Sequence, residues 1–191
     1  MITKEPDGQL LAVIDMQEFF AAGSPWAVPG FEELIEPVGA LASGYGPRVI
    51  FTRFMIPAEP EGSWVGYYRA WPQVLAPEAA GLADLAQPWA SQGLDTLDKP
   101  TFSKWGPELE SMLGPGRELT VCGVSTDCCV LATVLAAVDA GAQVRVIADA
   151  CAGITAEAHE AALNLMGGFA PQVTIGSVGD ELARLAGTGR A

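Results

Sequence analysis

The sequence predicts a doubly wound, mostly parallel α/β domain that takes in residues 1–191 as one unit. Three observations carry this expectation. Six short runs rich in Val, Ile, Leu and Thr alternate with segments whose apolar residues recur at helical spacing. The clearest run, LTVCGV at 119–124, is continuously apolar, as in strands buried on both faces of a parallel sheet. Residues 119–148 have the length and pattern of a strand, a helix and a second strand, the right-handed βαβ crossover.

In chain order, residues 9–15 (QLLAVID) form the first strand, which ends on Asp15. A Gly/Pro loop carrying Trp26 follows at 21–30, then a helix at 31–42 in which Pro37 requires a kink or a late start. Residues 48–54 (RVIFTRF) are the second strand. Residues 55–76 are Pro-rich and aromatic and read as one long loop, with Trp64, Tyr67, Tyr68 and Trp71. A short helix at 78–90, a weak strand near Thr96 and a helix at 107–113 lead to strand 119–124, closed by Gly123. Ser125, Thr126 and Asp127 are all N-cap types, and the mostly apolar helix 128–140 ends at Gly141. Strand 144–148, amphipathic helix 156–166, strand 172–175 and helix 178–185 complete the order, with 187–191 expected to fray. No repeat or linker divides the chain.

The formal net charge of −13 argues against nucleic acid and anionic membrane as partners. No apolar run reaches the length of a membrane span. Cys122, Cys128, Cys129 and Cys151 all fall within the central unit, without the spaced framework of secreted domains or a CxxC zinc spacing. With no signal-peptide pattern at the N-terminus, they are read as reduced thiols of a cytoplasmic protein. The one histidine, His159, lies on a charged, alanine-rich helical segment and is read as a solvated face residue.

Sites in open parallel sheets form beyond the carboxyl ends of the strands. Asp15 stands there, as a helix N-cap or as a site carboxylate. Cys128 and Cys129 stand at a helix start, as small buried apolar residues or as a nucleophile. The positive helix end favours a thiolate, so the Cys129 pKa is expected below that of a free thiol. Lys99 and Lys104 are the cations of the stretch DTLDKPTFSKW. Lys99 is either an exposed residue before Pro100 or a site cation. Phe20, Trp26, Trp64, Tyr67 and Trp71 are candidate substrate walls, and the 64–71 stretch is equally a candidate subunit contact.

GVSTDCCV at 123–130 resembles the G-V-x-T-D-x-C-V signature of the isochorismatase-like cysteine hydrolases. These include nicotinamidases, N-carbamoylsarcosine amidohydrolases and ureidoacrylate amidohydrolases. IDMQ at 14–17 resembles their first motif, and LDKPTFS at 97–103 resembles their Lys region with the Ser and Phe spacing changed. The resemblance implies a Rossmann-like three-layer fold and a triad of Asp15, Lys99 and Cys129, with Lys104 off the motif. It also implies a cis peptide between Val124 and Ser125, with the N–H groups of Ser125 and Cys129 as oxyanion donors. Nicotinamidases bind a metal through an Asp-x-His set and a further His. A single histidine does not supply that set, so no metal and no cofactor are expected. The expected activity is metal-independent hydrolysis of a small amide or carbamoyl compound through a Cys thioacyl intermediate. The alternatives are isochorismatase-type vinyl-ether hydrolysis, and a non-catalytic binding or redox-sensing role. A homodimer or higher homo-oligomer is the expected assembly.

Overall fold

The computed structural model describes residues 9–114 and 116–188. They contain a six-stranded sheet: β1 (Leu10–Ile14), β2 (Val49–Phe54), β3 (Thr96–Lys99), β4 (Glu118–Val124), β5 (Gln143–Ala152) and β6 (Val173–Gly176), in the order β3-β2-β1-β4-β5-β6. Every pairing is parallel. The helices are α1 (Ile35–Tyr45), α2 (Ser63–Ala70), α3 (Pro107–Met112), α4 (Leu131–Asp139), α5 (Ala156–Gly167) and α6 (Val178–Thr188). All five residues of β1 are buried, as the continuous apolar run requires of a central strand. Residues 189–191, part of the expected frayed end, lie outside the described residues.

The winding reverses between β1 and β4, so the crevice beyond their carboxyl ends is the topological switch point. Gly123 makes the close approach there. It pairs with Ile14, has φ +106°, and a Cβ added to it would stand 2.1 Å from the Ile14 carbonyl oxygen. No side chain fits, so the end of β4 lies directly against the residue preceding Asp15. The β4–β5 register shifts between Val121 and Gly123, next to the same point.

The first helix takes the late start that Pro37 allowed: a 3₁₀ turn at Glu32–Leu34 precedes α1, and Pro37 falls in the first turn of α1, where its missing N–H costs nothing. Three segments differ from expectation. Residues 55–76 are not a loop throughout. They contain α2 and a 3₁₀ turn at Pro72–Leu75, because Trp64, Tyr67, Tyr68 and Trp71 recur at the i, i+3, i+4, i+7 spacing of one helix face. Residues 78–90 do not form an α-helix. Proline interrupts them, giving 3₁₀ turns at Pro77–Ala83 and Trp89–Gln92 with a cis Gln87–Pro88 bond between. The helix expected from 128 is preceded by a π-helical turn, Thr126–Val130, before α4, which closes as expected with Gly141 at φ +84°.

The C-terminal helix is clasped to the sheet by Glu181. Its buried carboxylate receives the Tyr45 hydroxyl and faces Arg145 and Arg184, while Tyr45 also bonds Thr120 at 2.6 Å. Burial pushes the Glu181 pKa up, but Arg184, Tyr45 and Arg145 more than offset this and hold it below its ordinary value. No helix of the described residues is long and apolar enough to cross a membrane.

All four cysteines are free thiols. Burial pushes Cys151 up to about 12 and Cys122 well above its ordinary value. Unfolded thiols lose protons near pH ~8.5 whereas these keep theirs, so the folded state binds more protons and stability falls as pH rises above that value. Each thiol contributes a slope of at most about 1.4 kcal/mol per pH unit. Urea midpoints are expected to decline from pH 8 to 10.5, and less steeply in Cys122→Ala; a flat profile in the native protein contradicts this.

Candidate active site

The chain leaves β1 at Asp15 with φ +48°, a left-handed conformation that Asp tolerates better than most residues. Asp15 is fully buried. Its N–H donates to Thr52 Oγ1 (3.2 Å), and the Thr52 hydroxyl donates to Asp15 Oδ1 (2.7 Å). The second oxygen, Oδ2, faces Lys104 Nζ at 3.0 Å, with both side chains 0% exposed. Lys104 Nζ also donates to the Thr101 carbonyl (2.8 Å) and lies 4.9 Å from the Phe54 ring centroid. Gln17, also buried, ties the neighbouring chain together: it accepts from Phe54 N–H (2.7 Å) and donates to the Phe54 and Ala83 carbonyls.

After β4 the chain turns through a cis Val124–Ser125 bond into the π-helical turn that presents Cys128 and Cys129. Ser125 O accepts from the N–H groups of both Cys128 and Val130 at 3.1 Å. The turn is pinned from the segment after β5 and from α5. Asp127 accepts from Ile154 N–H (3.0 Å), and Thr126 Oγ1 meets His159 Nδ1 at 2.8 Å.

The two thiols act on each other. The hydrogen bond from Cys129 to Cys128, then burial, then the Asp15 carboxylate push the Cys129 thiol well above its ordinary value, with Lys104 opposing. The same hydrogen bond lowers Cys128. This direction is opposite to the expectation from the helix end alone. The helix begins with an irregular turn, and the neighbouring thiol, burial and the Asp15 carboxylate together outweigh the partial charge of a helix terminus.

The thiols open into a cavity of about 460 Å³ bordered by Phe20, Trp26, Phe54, Tyr67, Trp71 and Phe102, with Val28 and Ile154 at its edges. Among the described residues no lysine, arginine or histidine lines it, and Asp127 is its one acidic side chain. Burial, with the two neighbouring cysteines, pushes the Tyr67 phenol up to about 12, so it stays a hydrogen-bond donor. Trp26 sits at the centre of the wall, with ring centroids 6.1 Å from Phe20, 6.2 Å from Tyr67 and 6.4 Å from Trp71.

Comparison with known proteins matches the isochorismatase domain to residues 9–177. The chain belongs to the isochorismatase family. Isochorismatase domain-containing protein 2 of Xenopus laevis is 35% identical over 74 residues, which are 37% of this chain and 36% of that protein. The match thus covers little more than a third of the curated relative's length. Among solved structures, a cysteine hydrolase from Pseudomonas syringae superposes with a TM-score of 0.82 over 96% of this chain and 94% of that one, at 18% identity. A nicotinamidase/pyrazinamidase from Bacillus subtilis gives 0.69 over 89% and 100%, also at 18% identity. At such identity these two likenesses are of fold.

Within this isochorismatase domain the expected site residues separate into three groups. Asp15, Val124, Ser125 and Cys129 gather at the switch point, and Phe20, Trp26, Tyr67 and Trp71 line the cavity. Lys99 does not join them. It ends β3 and pairs with Glu108 at 2.6 Å on the outer side of the loop, while Lys104 reaches Asp15. The reason is geometric: the chain turns at Pro100–Ser103, and only the later lysine is carried back under Phe54 into the core. Trp64 stands behind the wall rather than in it, 4.8 Å from Phe102. His159 is half-buried and bonded to Thr126 rather than solvated. Lys104 is the competing candidate off the motif, and Phe54, Phe102 and Thr133 are residues that sequence reading left out of the site. Arg53, the nearest arginine in sequence to the wall, is committed to Asp98 (2.6 Å) and Asp84 (3.7 Å). Among the described residues, no group of three or more His, Cys, Asp and Glu side chains is gathered as a metal site.

Proposed function

We propose that this protein is a metal-independent hydrolase of a small amide or carbamoyl compound, with Cys129 as nucleophile, Asp15 as base and acid, and Lys104 as the triad cation. The observation that carries this reading is the fully buried Asp15–Lys104 pair, whose charges both act on the Cys129 thiol. In the proposed reaction Asp15 takes the Cys129 proton as sulfur attacks the carbonyl carbon. The N–H groups of Ser125 and Cys129 hold the resulting oxyanion. Collapse breaks the C–N bond; the amine leaves with the proton from Asp15, and the acyl group stays on sulfur. Water then gives its proton to Asp15 and its hydroxyl to the acyl carbon, and the sulfur leaves as the thiol with the proton that Asp15 returns. Lys104 keeps Asp15 oriented and balances its charge where both side chains are fully buried.

The cavity lining supports a substrate with a flat or apolar group that is uncharged or cationic. Aromatic faces offer stacking and burial, and among the described residues no cationic side chain lines the cavity to receive a carboxylate. A homo-oligomer is also proposed, since Val65 and Leu75 on the outer side of the 63–75 segment are exposed; a monomer by light scattering removes that part.

The test is ammonia release over a panel of small amides and carbamoyl compounds, with intact-mass detection of an acyl adduct. Turnover is expected with aromatic or apolar amides, and an adduct on Cys129. Cys129→Ala is expected to lose at least about 10³-fold in kcat, and Cys128→Ala to stay within about fivefold. Absence of amide turnover, cleavage of a vinyl ether instead, or an adduct on Cys128 overturns the reading.

A further inference from the structure

We propose that Thr133 is a positioning residue that locks the Lys104 loop to the nucleophile turn. This rests on the hydrolase reading above. Thr133 lies in α4, one turn beyond Cys129, and is fully buried. Its hydroxyl donates to the Cys129 carbonyl at 2.7 Å and its oxygen accepts the Lys104 N–H at 2.8 Å. The first bond alone is commonplace, since helical Thr often bonds the carbonyl four residues back. The second joins residues 29 apart in sequence and ends on the backbone of the residue whose ammonium holds Asp15. One hydroxyl thus ties two irregular stretches, the coil after Ser103 and the π-helical turn, where neither is held by the sheet ladder.

The two bonds use the hydroxyl as donor and acceptor together, so only Ser can replace Thr without loss. Thr133→Val keeps the shape, removes both bonds and leaves the buried Lys104 N–H unpaired. The Lys104 loop is then free to shift from Asp15 and Cys129. Thr133 does not border the cavity, so substrate binding is untouched.

The experiment compares the native protein with Thr133→Val, Thr133→Ala and Thr133→Ser. The first readout is steady-state kinetics on the best amide. The second is the pH dependence of iodoacetamide alkylation of Cys129, followed by mass spectrometry. Circular dichroism melts establish which variants are folded. Val and Ala are expected to lose about 10- to 100-fold in kcat at near-constant KM. The midpoint of Cys129 alkylation is expected to move upward by about one pH unit, because Lys104 favours the thiolate. Ser is expected to restore both. The alkylation readout needs no turnover, so it reports on Thr133 even if no amide is hydrolysed and the hydrolase reading fails. If Val does not fold, Ala carries the comparison. The proposal is overturned if the folded Val or Ala variant matches the native protein in both readouts. It is also overturned if Ser is as impaired as Val, or if the loss lies in KM.

Discussion

Lys104→Met is expected to abolish amide hydrolysis, lowering kcat/KM by at least about 10³-fold, while Lys99→Met stays within about threefold of the native protein. The difference follows from burial. Lys104 and Asp15 are both 0% exposed and 3.0 Å apart, so neither charge has water as an alternative partner. Removing the ammonium leaves a buried carboxylate uncompensated, which costs about 3–5 kcal/mol unless Asp15 takes up a proton. Protonation relieves the cost but disables the base. Both outcomes stop the reaction, and both leave a folded protein if the native margin exceeds the loss. Lys99, by contrast, pairs with an exposed Glu108, away from Asp15. Kinetics on the two variants, with urea unfolding beside them, decide the matter. An active Lys104→Met with an inactive Lys99→Met returns the catalytic lysine to the motif position.

Gly123→Ala is expected to be the most damaging single methyl in the chain, costing more than about 4 kcal/mol of stability and all detectable activity. The added Cβ would stand 2.1 Å from the Ile14 carbonyl oxygen and 2.8 Å from its nitrogen, both backbone atoms of the central strand. Neither can rotate away, so β1 and β4 must separate where they deliver Asp15 and the cysteine turn. The positive φ of +106° adds a conformational cost of its own. Gly141→Ala isolates that second term, because Gly141 has φ +84° and nothing within 4 Å of a built Cβ. It is expected to cost only about 1 kcal/mol and to keep activity. Equal losses at the two positions, measured by denaturant unfolding, would show that conformation rather than the β1–β4 approach dominates.

Much of this was legible in the chain, because local pattern carries it. The apolar runs at 9–15, 48–54 and 119–124 had to be buried strands. Gly123, the cap residues after it and Gly141 marked the turn that holds the cysteines. The aromatic stripe 64, 67, 68, 71 had the period of a helix, yet the prolines on both sides made 55–76 look like a loop. Periodicity was the better guide there. At 78–90 the reverse held, since Pro77 and Pro88 broke what composition suggested was a helix.

By itself the sequence determined the order of the six strands, the family, and the positions of Asp15 and Cys129, since each of these is a property of consecutive residues. Only the tertiary structure decided which lysine stands beside Asp15. Lys99 and Lys104 are five residues apart, and the fold leaves the first half-buried beside Glu108 and buries the second fully against Asp15. The structure likewise put Phe102 and Phe54 in the cavity wall and Trp64 behind it, and it surrounded Cys129 with groups that push its thiol up. Packing and electrostatics act through space, so the burial of a charge and the carboxylate that faces a thiol depend on strands brought together from distant parts of the chain.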